Sequence, residues 1–151
     1  MSDHLPWYAA LVGPDTPPAE LDRLVREFEL TETWSGRTRF LENERRGLSV
    51  VFDGPELGGI HHLSDEIDGC ARFAGPLPLG LDFAFTRDDV ERALGPCDHD
   101  TGPGAGNVWR YDRGPCWVAI SFSPRSGRIE SVTLESRASA AKLMQLVGRD
   151  A

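Results

Sequence analysis

No apolar run in this sequence approaches the roughly 20 residues that a membrane-spanning helix needs. Its opening, MSDHLPWYAALVGP, has an acid and no basic cluster ahead of an apolar stretch, so a secretory signal is not expected and a cytoplasmic protein is. The 3 cysteines, Cys70, Cys97 and Cys116, form no CxxC or other metal-ligating spacing, and their odd number argues against a disulfide framework. They read as buried or inert thiols; a Cys97–Cys116 bridge would require an oxidising compartment. The sequence also has no GxSxG elbow, no phosphate-binding glycine loop ending in Lys-Ser or Lys-Thr, and no GxGxxG after a strand. Neither nucleophilic catalysis nor nucleotide binding has a motif to stand on.

Basic residues are scarce through the middle of the chain. The net charge is −8, and residues 53–100 hold all of it. In that window Asp53, Glu56, Asp65, Glu66, Asp68, Asp82, Asp88, Asp89, Glu91, Asp98 and Asp100 face Arg72, Arg87 and Arg92. Such a window opposes nucleic-acid binding, which depends on neutralising phosphates. It suits a basic protein partner. A solubilising surface is the plainer reading of the same charges.

At 151 residues, 40% apolar and 26% charged, the composition fits one globular domain or two small halves sharing a core. The stretch GLDFAFTRDDVERALGP, residues 80–96, shows how the chain is put together. Phe83 and Phe85 alternate with Asp82 and Ala84, which predicts a short half-buried strand. Thr86 is a good N-cap, and Asp89 three residues on completes a capping-box pair. Val90, Ala93 and Leu94 make an apolar helical stripe that Gly95-Pro96 ends. Asp88 and Asp89 therefore have a structural task at the positive end of a helix.

Strands are predicted over residues 107–111, 116–122 and 128–134, separated by turn-rich segments at 112–115 and 123–127. Their short connections imply an antiparallel meander. A closing helix is predicted over 138–147, with Leu143, Leu146 and Val147 on one face. The first half follows the same plan. Glu20–Leu24 parallels Asp89–Leu94, Arg39-Phe40-Leu41 parallels Val108-Trp109-Arg110, and Val50–Phe52 parallels Ala119–Phe122. Gly58-Gly59-Ile60 parallels Gly127-Arg128-Ile129. These matches predict a duplicated helix-plus-three-strand unit. The expectation is an α+β protein of two related helix-plus-antiparallel-sheet halves. Residues 1–68 form the first half, 69–76 a linker, and 77–151 the second half with its closing helix.

The run Phe85-Thr86-Arg87-Asp88-Asp89-Val90, then Leu94-Gly95-Pro96 and a meander, resembles the repeat unit of the beta-lactamase inhibitory protein and the small outer-membrane assembly lipoproteins. That family's motif is Gly-Met-Thr, a Val four residues after the Thr, then Leu-Gly-x-Pro. Here Ala84-Phe85-Thr86 stands in the first position, and Pro96 comes one residue early. The resemblance covers residues 77–135 and, more faintly, 5–64. It implies a binding module whose sheet presents aromatic residues to a protein partner. The LPLGLDF run at residues 77–83, with the Val and Leu-Gly-Pro that follow, is also similar to bacterial toxin-immunity proteins.

Along residues 116–122, Cys116, Val118, Ile120 and Phe122 should point to the helices, and Trp117, Ala119 and Ser121 away from them. Trp109, Tyr111 and Trp117 are expected together on the outer face, with Arg110 or Arg113 at the rim. Trp34 and Phe40 are candidates to extend it. Burial of these aromatics under the closing helix or the other half is the competing expectation. Aromatic and Arg clusters are the usual anchors of interfaces.

His61-His62 does not read as a metal site, because neighbours on a strand project to opposite faces; a solvated strand end is expected there. His99, two residues from Cys97 and beside the glycine-rich stretch Gly102–Gly106, marks a loop rather than a rigid catalytic dyad.

The resulting expectation is a non-enzymatic protein-binding module, most concretely an immunity protein that neutralises a toxin. It carries no cofactor, no metal and no catalytic residue, and binds neither nucleic acid nor membrane. Its contacts would be Trp109, Tyr111 and Trp117, with Asp65, Glu66, Asp68, Asp98 and Asp100 meeting a basic partner. Two alternatives stay open: a small-molecule or enzymatic site around His99, and a structural subunit of a homo-oligomer that buries the aromatic face.

Overall fold

The computed structural model describes residues 4–102 and 107–150, with side chains to residue 145. Three α-helices and an antiparallel sheet of eight strands make an α+β fold. The helices are α1 (Pro18–Phe28), α2 (Arg87–Leu94) and α3 (Arg137–Asp150). The first four strands are β1 (Thr31–Ser35), β2 (Thr38–Asn43), β3 (Leu48–Asp53) and β4 (Glu56–Leu63). The second four are β5 (His99–Asp100), β6 (Val108–Asp112), β7 (Trp117–Phe122) and β8 (Ile129–Glu135). A short 3-10 turn precedes each of the first two helices, at Trp7–Leu11 and Pro78–Gly80.

Local chemistry explains α1 and α2. Proline at the first position of α1 costs no hydrogen bond, since that N–H would be unpaired anyway. Leu21, Leu24, Val25 and Phe28 line one face, and Glu29 ends the helix in the left-handed region at φ 53°. In α2 the predicted cap is in place: the Thr86 backbone N–H donates to Asp89 Oδ2 at 3.0 Å, and its hydroxyl lies 3.1 Å from the same oxygen. These bonds, the backbone one first, hold the Asp89 carboxyl below its ordinary range. Val90 is fully buried and Leu94 partly so, whereas Ala93 faces solvent. Residues 81–85 before this helix form a turn instead of the expected strand, because the Phe85 N–H bonds back to the Asp82 carbonyl at 2.9 Å.

The strand order is β1-β2-β3-β4-β8-β7-β6-β5. Two four-strand meanders thus meet at an antiparallel β4–β8 seam, each unit holding one strand more than predicted. The seam is symmetric. Ser64 N–H donates to the Glu130 carbonyl at 3.0 Å, and Ser136 N–H donates to the Gly58 carbonyl at 2.9 Å. Between these two bonds His61 faces Thr133, 72 positions on. Bulges fall at Val51/Phe52 and at Ser121/Phe122, and beyond them Phe52 pairs with Leu57 and Phe122 with Ile129.

One face of the sheet is the core. Leu41, Val50, Ile60, Leu134, Val118 and Tyr111 form a continuous cross-strand row on it, joined by Leu24 of α1 and Val90 of α2. The predicted inward set Cys116, Val118, Ile120 and Phe122 is at most 1% exposed. Within residues 69–76, most of them exposed, Phe73 is buried, and its N–H donates to the Leu63 carbonyl. Gly47 makes this possible. A Cβ there, at φ +67°, would sit 2.5 Å from the Ala71 carbonyl oxygen and 2.6 Å from the Phe73 nitrogen. No helix among the described residues is long and apolar enough to cross a membrane.

Candidate binding face

The opposite face of the sheet is not covered by α1 or α2. Because directly paired residues in antiparallel strands share a face, the register assigns every side chain to one side or the other. Phe40, Val51, Gly59, Glu135, Trp117 and Asp112 form one row of the outer face, and Ser49, His61, Thr133, Ala119 and Arg110 the next. Leu63, Ser131, Ser121 and Val108 form a third. Phe40, Val51, Leu63, Val108 and Trp117 are all half-buried. This is a broad, mixed surface with apolar side chains set between hydroxyls.

The expected aromatic trio is divided between the two faces. Trp117 is on the outer face, opposite Glu135, with the Arg137 guanidinium 5.5 Å from its ring. Trp109 and Tyr111 are opposite Ile120 and Val118, which turns both toward the helices. Trp109 packs edge-on against Phe122 at 5.1 Å. Tyr111 is 1% exposed, and its hydroxyl donates to the Gly95 carbonyl at 2.8 Å, tying the end of α2 to the sheet. Tyr111 is therefore a core residue and not a docking anchor. Trp34 also lies on the helix side, beside Arg39 at the uncovered edge, and is 61% exposed.

The acids separate into two groups. Asp65, Glu66 and Asp68 follow β4, while Asp98 just precedes β5 and Asp100 lies in it, three strands beyond β8. Most have partners within the chain. Arg72 donates to Asp65 at 3.2 Å, and Ser126 donates to the Glu66 carboxylate at 2.8 Å. Asp98 accepts the Asp112 N–H, and Asp100 accepts the Gly102 N–H, both at 2.8 Å. Asp65, Asp68, Asp98 and Asp100 nevertheless remain exposed.

His61 and His62 do project to opposite faces, but they sit in the middle of the sheet and not at a solvated end. His62 is fully buried. Its Nδ1–H donates to the Val132 carbonyl at 2.8 Å, so Nε2 accepts the Tyr8 hydroxyl at 2.7 Å. Burial pulls the His62 ring down to about 4 and pushes the Tyr8 phenol up. On the outer face His61 Nδ1 is 2.7 Å from the Thr133 hydroxyl, and burial draws this ring to about 4 as well.

Arg110, one of the two arginines considered for the rim, is held on the outer face by a buried two-pronged ion pair with Glu135, at 2.9 and 3.2 Å. Periodicity gives no sign of this pair, whose partners belong to strands separated by β7. The Arg110 Nη1 and the His99 Nδ1, on directly paired residues, are buried without hydrogen-bond partners among the described residues. The glycine-rich loop beside His99 falls largely on residues 103–106, outside the described residues. All three cysteines are free, and burial raises the Cys116 thiol to about 11.

α3 leans over the outer face and encloses a groove of about 340 Å³ between Ser139 and Leu143 on one side and Val51, Gly59, His61 and Thr133 on the other. Leu143 is 42% exposed; Leu146 and Val147, predicted on the same stripe, have side chains outside the described residues. Lys142 reaches Asp53 at 2.7 Å and pins the helix at the mouth of the groove.

No protein-family model matches the chain, and no curated protein or solved structure matches it.

Proposed function

We propose that this chain is a non-enzymatic protein-binding module, most concretely an immunity protein that occludes a toxin. The observation that carries this reading is the outer sheet face, which α1 and α2 leave uncovered and where Phe40, Val51, Leu63, Val108 and Trp117 are half-buried. Interfaces of this kind take their affinity from an aromatic or Arg anchor. Trp117 with Arg137 over its ring supplies one. Asp65 and Asp68 near the β4 end, with Asp98 and Asp100 at the β5 edge, would steer a basic partner. The direct test is co-purification with the product of the neighbouring gene. Capture of a basic toxin and loss of its activity supports the reading; a neighbour that neither binds nor is toxic removes it.

The two halves are further proposed to be copies of one ancestral unit. The paired bonds about His61 and Thr133, and the matching bulges, are what support this. A second functional reading rests on the groove under α3. Its volume is at the small end of ligand sites, with His61, Thr133 and Ser139 lining it and Asp53, Glu135 and Lys142 adding charge. That would place a small-molecule site at His61 and not at His99. A ligand whose thermal stabilisation of the chain is abolished by His61→Ala would favour it.

A further inference from the structure

The two edges of the sheet differ. β5 is two residues long, with Asp98 just before it and Asp100 within it, a short, charged edge of the kind that resists pairing. β1, Thr31-Glu32-Thr33-Trp34-Ser35, is exposed along its whole length, and it contains no proline, glycine or lysine. Nothing among the described residues protects it.

Its hairpin fixes which backbone groups are free. Ser35 pairs with Thr38 around the two-residue turn Gly36-Arg37, with Gly36 at φ 61°. Residues flanking such a turn bond to each other, and bonding alternates along the strand. Ser35, Thr33 and Thr31 therefore bond inward to β2, while Glu32 and Trp34 turn their N–H and C=O groups outward.

We propose that β1 pairs antiparallel with β1 of a second copy of this chain, centred on Thr33. This register sets Glu32 of each copy against Trp34 of the other, so the outward groups of both strands bond reciprocally. Centring on Glu32 would instead oppose two carboxylates, which is penalised. Centring on Trp34 would spend the pairing on Gly36 in the turn. The Thr33 register also carries Arg37 of each copy toward Glu29 of the other, twice by symmetry. Although each chain carries −8, this edge is balanced, with Glu29 and Glu32 against Arg37 and Arg39. Arg39 is already bonded to Glu32 at 2.6 Å, so the Trp34 indole of the second copy meets a neutralised pair.

Sedimentation of the full chain over a concentration series tests this, together with cysteine cross-linking under oxidation. A concentration-dependent dimer is expected, and Trp34→Lys should shift it to monomer while leaving the circular dichroism unchanged. In this register two Thr33 Cβ atoms lie about 5 Å apart, within reach of a disulfide after small adjustment. Thr33→Cys should therefore form a linked dimer at least tenfold faster than Thr31→Cys, whose opposite number is Ser35. The unsubstituted chain, with its own three cysteines, supplies the background. A monomer at millimolar concentration overturns the proposal, as does a dimer indifferent to Trp34→Lys or equal linking by the two cysteine variants. So does protection of the β1 amides only when a different protein is added.

Discussion

Arg110 and Glu135 are joined by two hydrogen bonds across the back of β7, with side chains 6% and 7% exposed. A buried pair of this kind gains little over an apolar replacement, yet loses heavily when one partner is removed. Glu135→Gln is expected to lower unfolding free energy by about 3–5 kcal/mol. The double variant Arg110→Met, Glu135→Leu should recover most of that loss. Urea denaturation of the three proteins measures both quantities.

Acid should destabilise the fold through His62. The unfolded ring takes up a proton near 6.5 and the buried one only near 4, so between those values the unfolded chain holds more protons. The stabilising effect is complete above pH 6.5 and is lost as pH falls toward 4, by roughly 3 kcal/mol. His61, drawn to about 4 by its own burial, adds to the same trend. Melting temperatures at pH 7 and pH 4.5 should diverge clearly less in a His62→Phe, Tyr8→Phe variant than in the unsubstituted chain.

Gly47 is where the segment after β4 closes onto the β2–β3 hairpin. Any side chain there strikes the backbone at Ala71 and Phe73, which cannot swing aside as a side chain would. Gly47→Ala should cost roughly 1–3 kcal/mol for overpacking, with backbone strain in addition. Chemical denaturation measures the cost, and hydrogen exchange should locate the loosening at residues 71–73.

Features set by near neighbours were legible in the sequence. The Thr86–Asp89 cap, the stop at Gly95 and the inward set from Cys116 to Phe122 all follow from spacing along a single element. Register was not legible. The face of Trp109 depends on which residue of β7 it meets, and the four-residue connection from Asp112 to Trp117 settles that only in three dimensions. β1 was missed because none of its residues is buried, so it shows no alternation. β5 was missed because two residues carry no period. The Arg110–Glu135 pair joins strands that are not adjacent. The burial of Phe73 was not legible, because the glycines and prolines around it suggest a loop and one apolar residue carries no period.

The most direct test of a docking role for the outer face compares the two tryptophans that the register separates. With the captured partner in a titration calorimeter, Trp117→Ala should weaken binding by at least tenfold, as expected for a central aromatic anchor. Trp109→Ala, lying on the helix side, should leave the dissociation constant within about threefold so long as the variant stays folded. Equal affinity for Trp117→Ala and the unsubstituted chain, with the loss appearing at Trp109 instead, would contradict it.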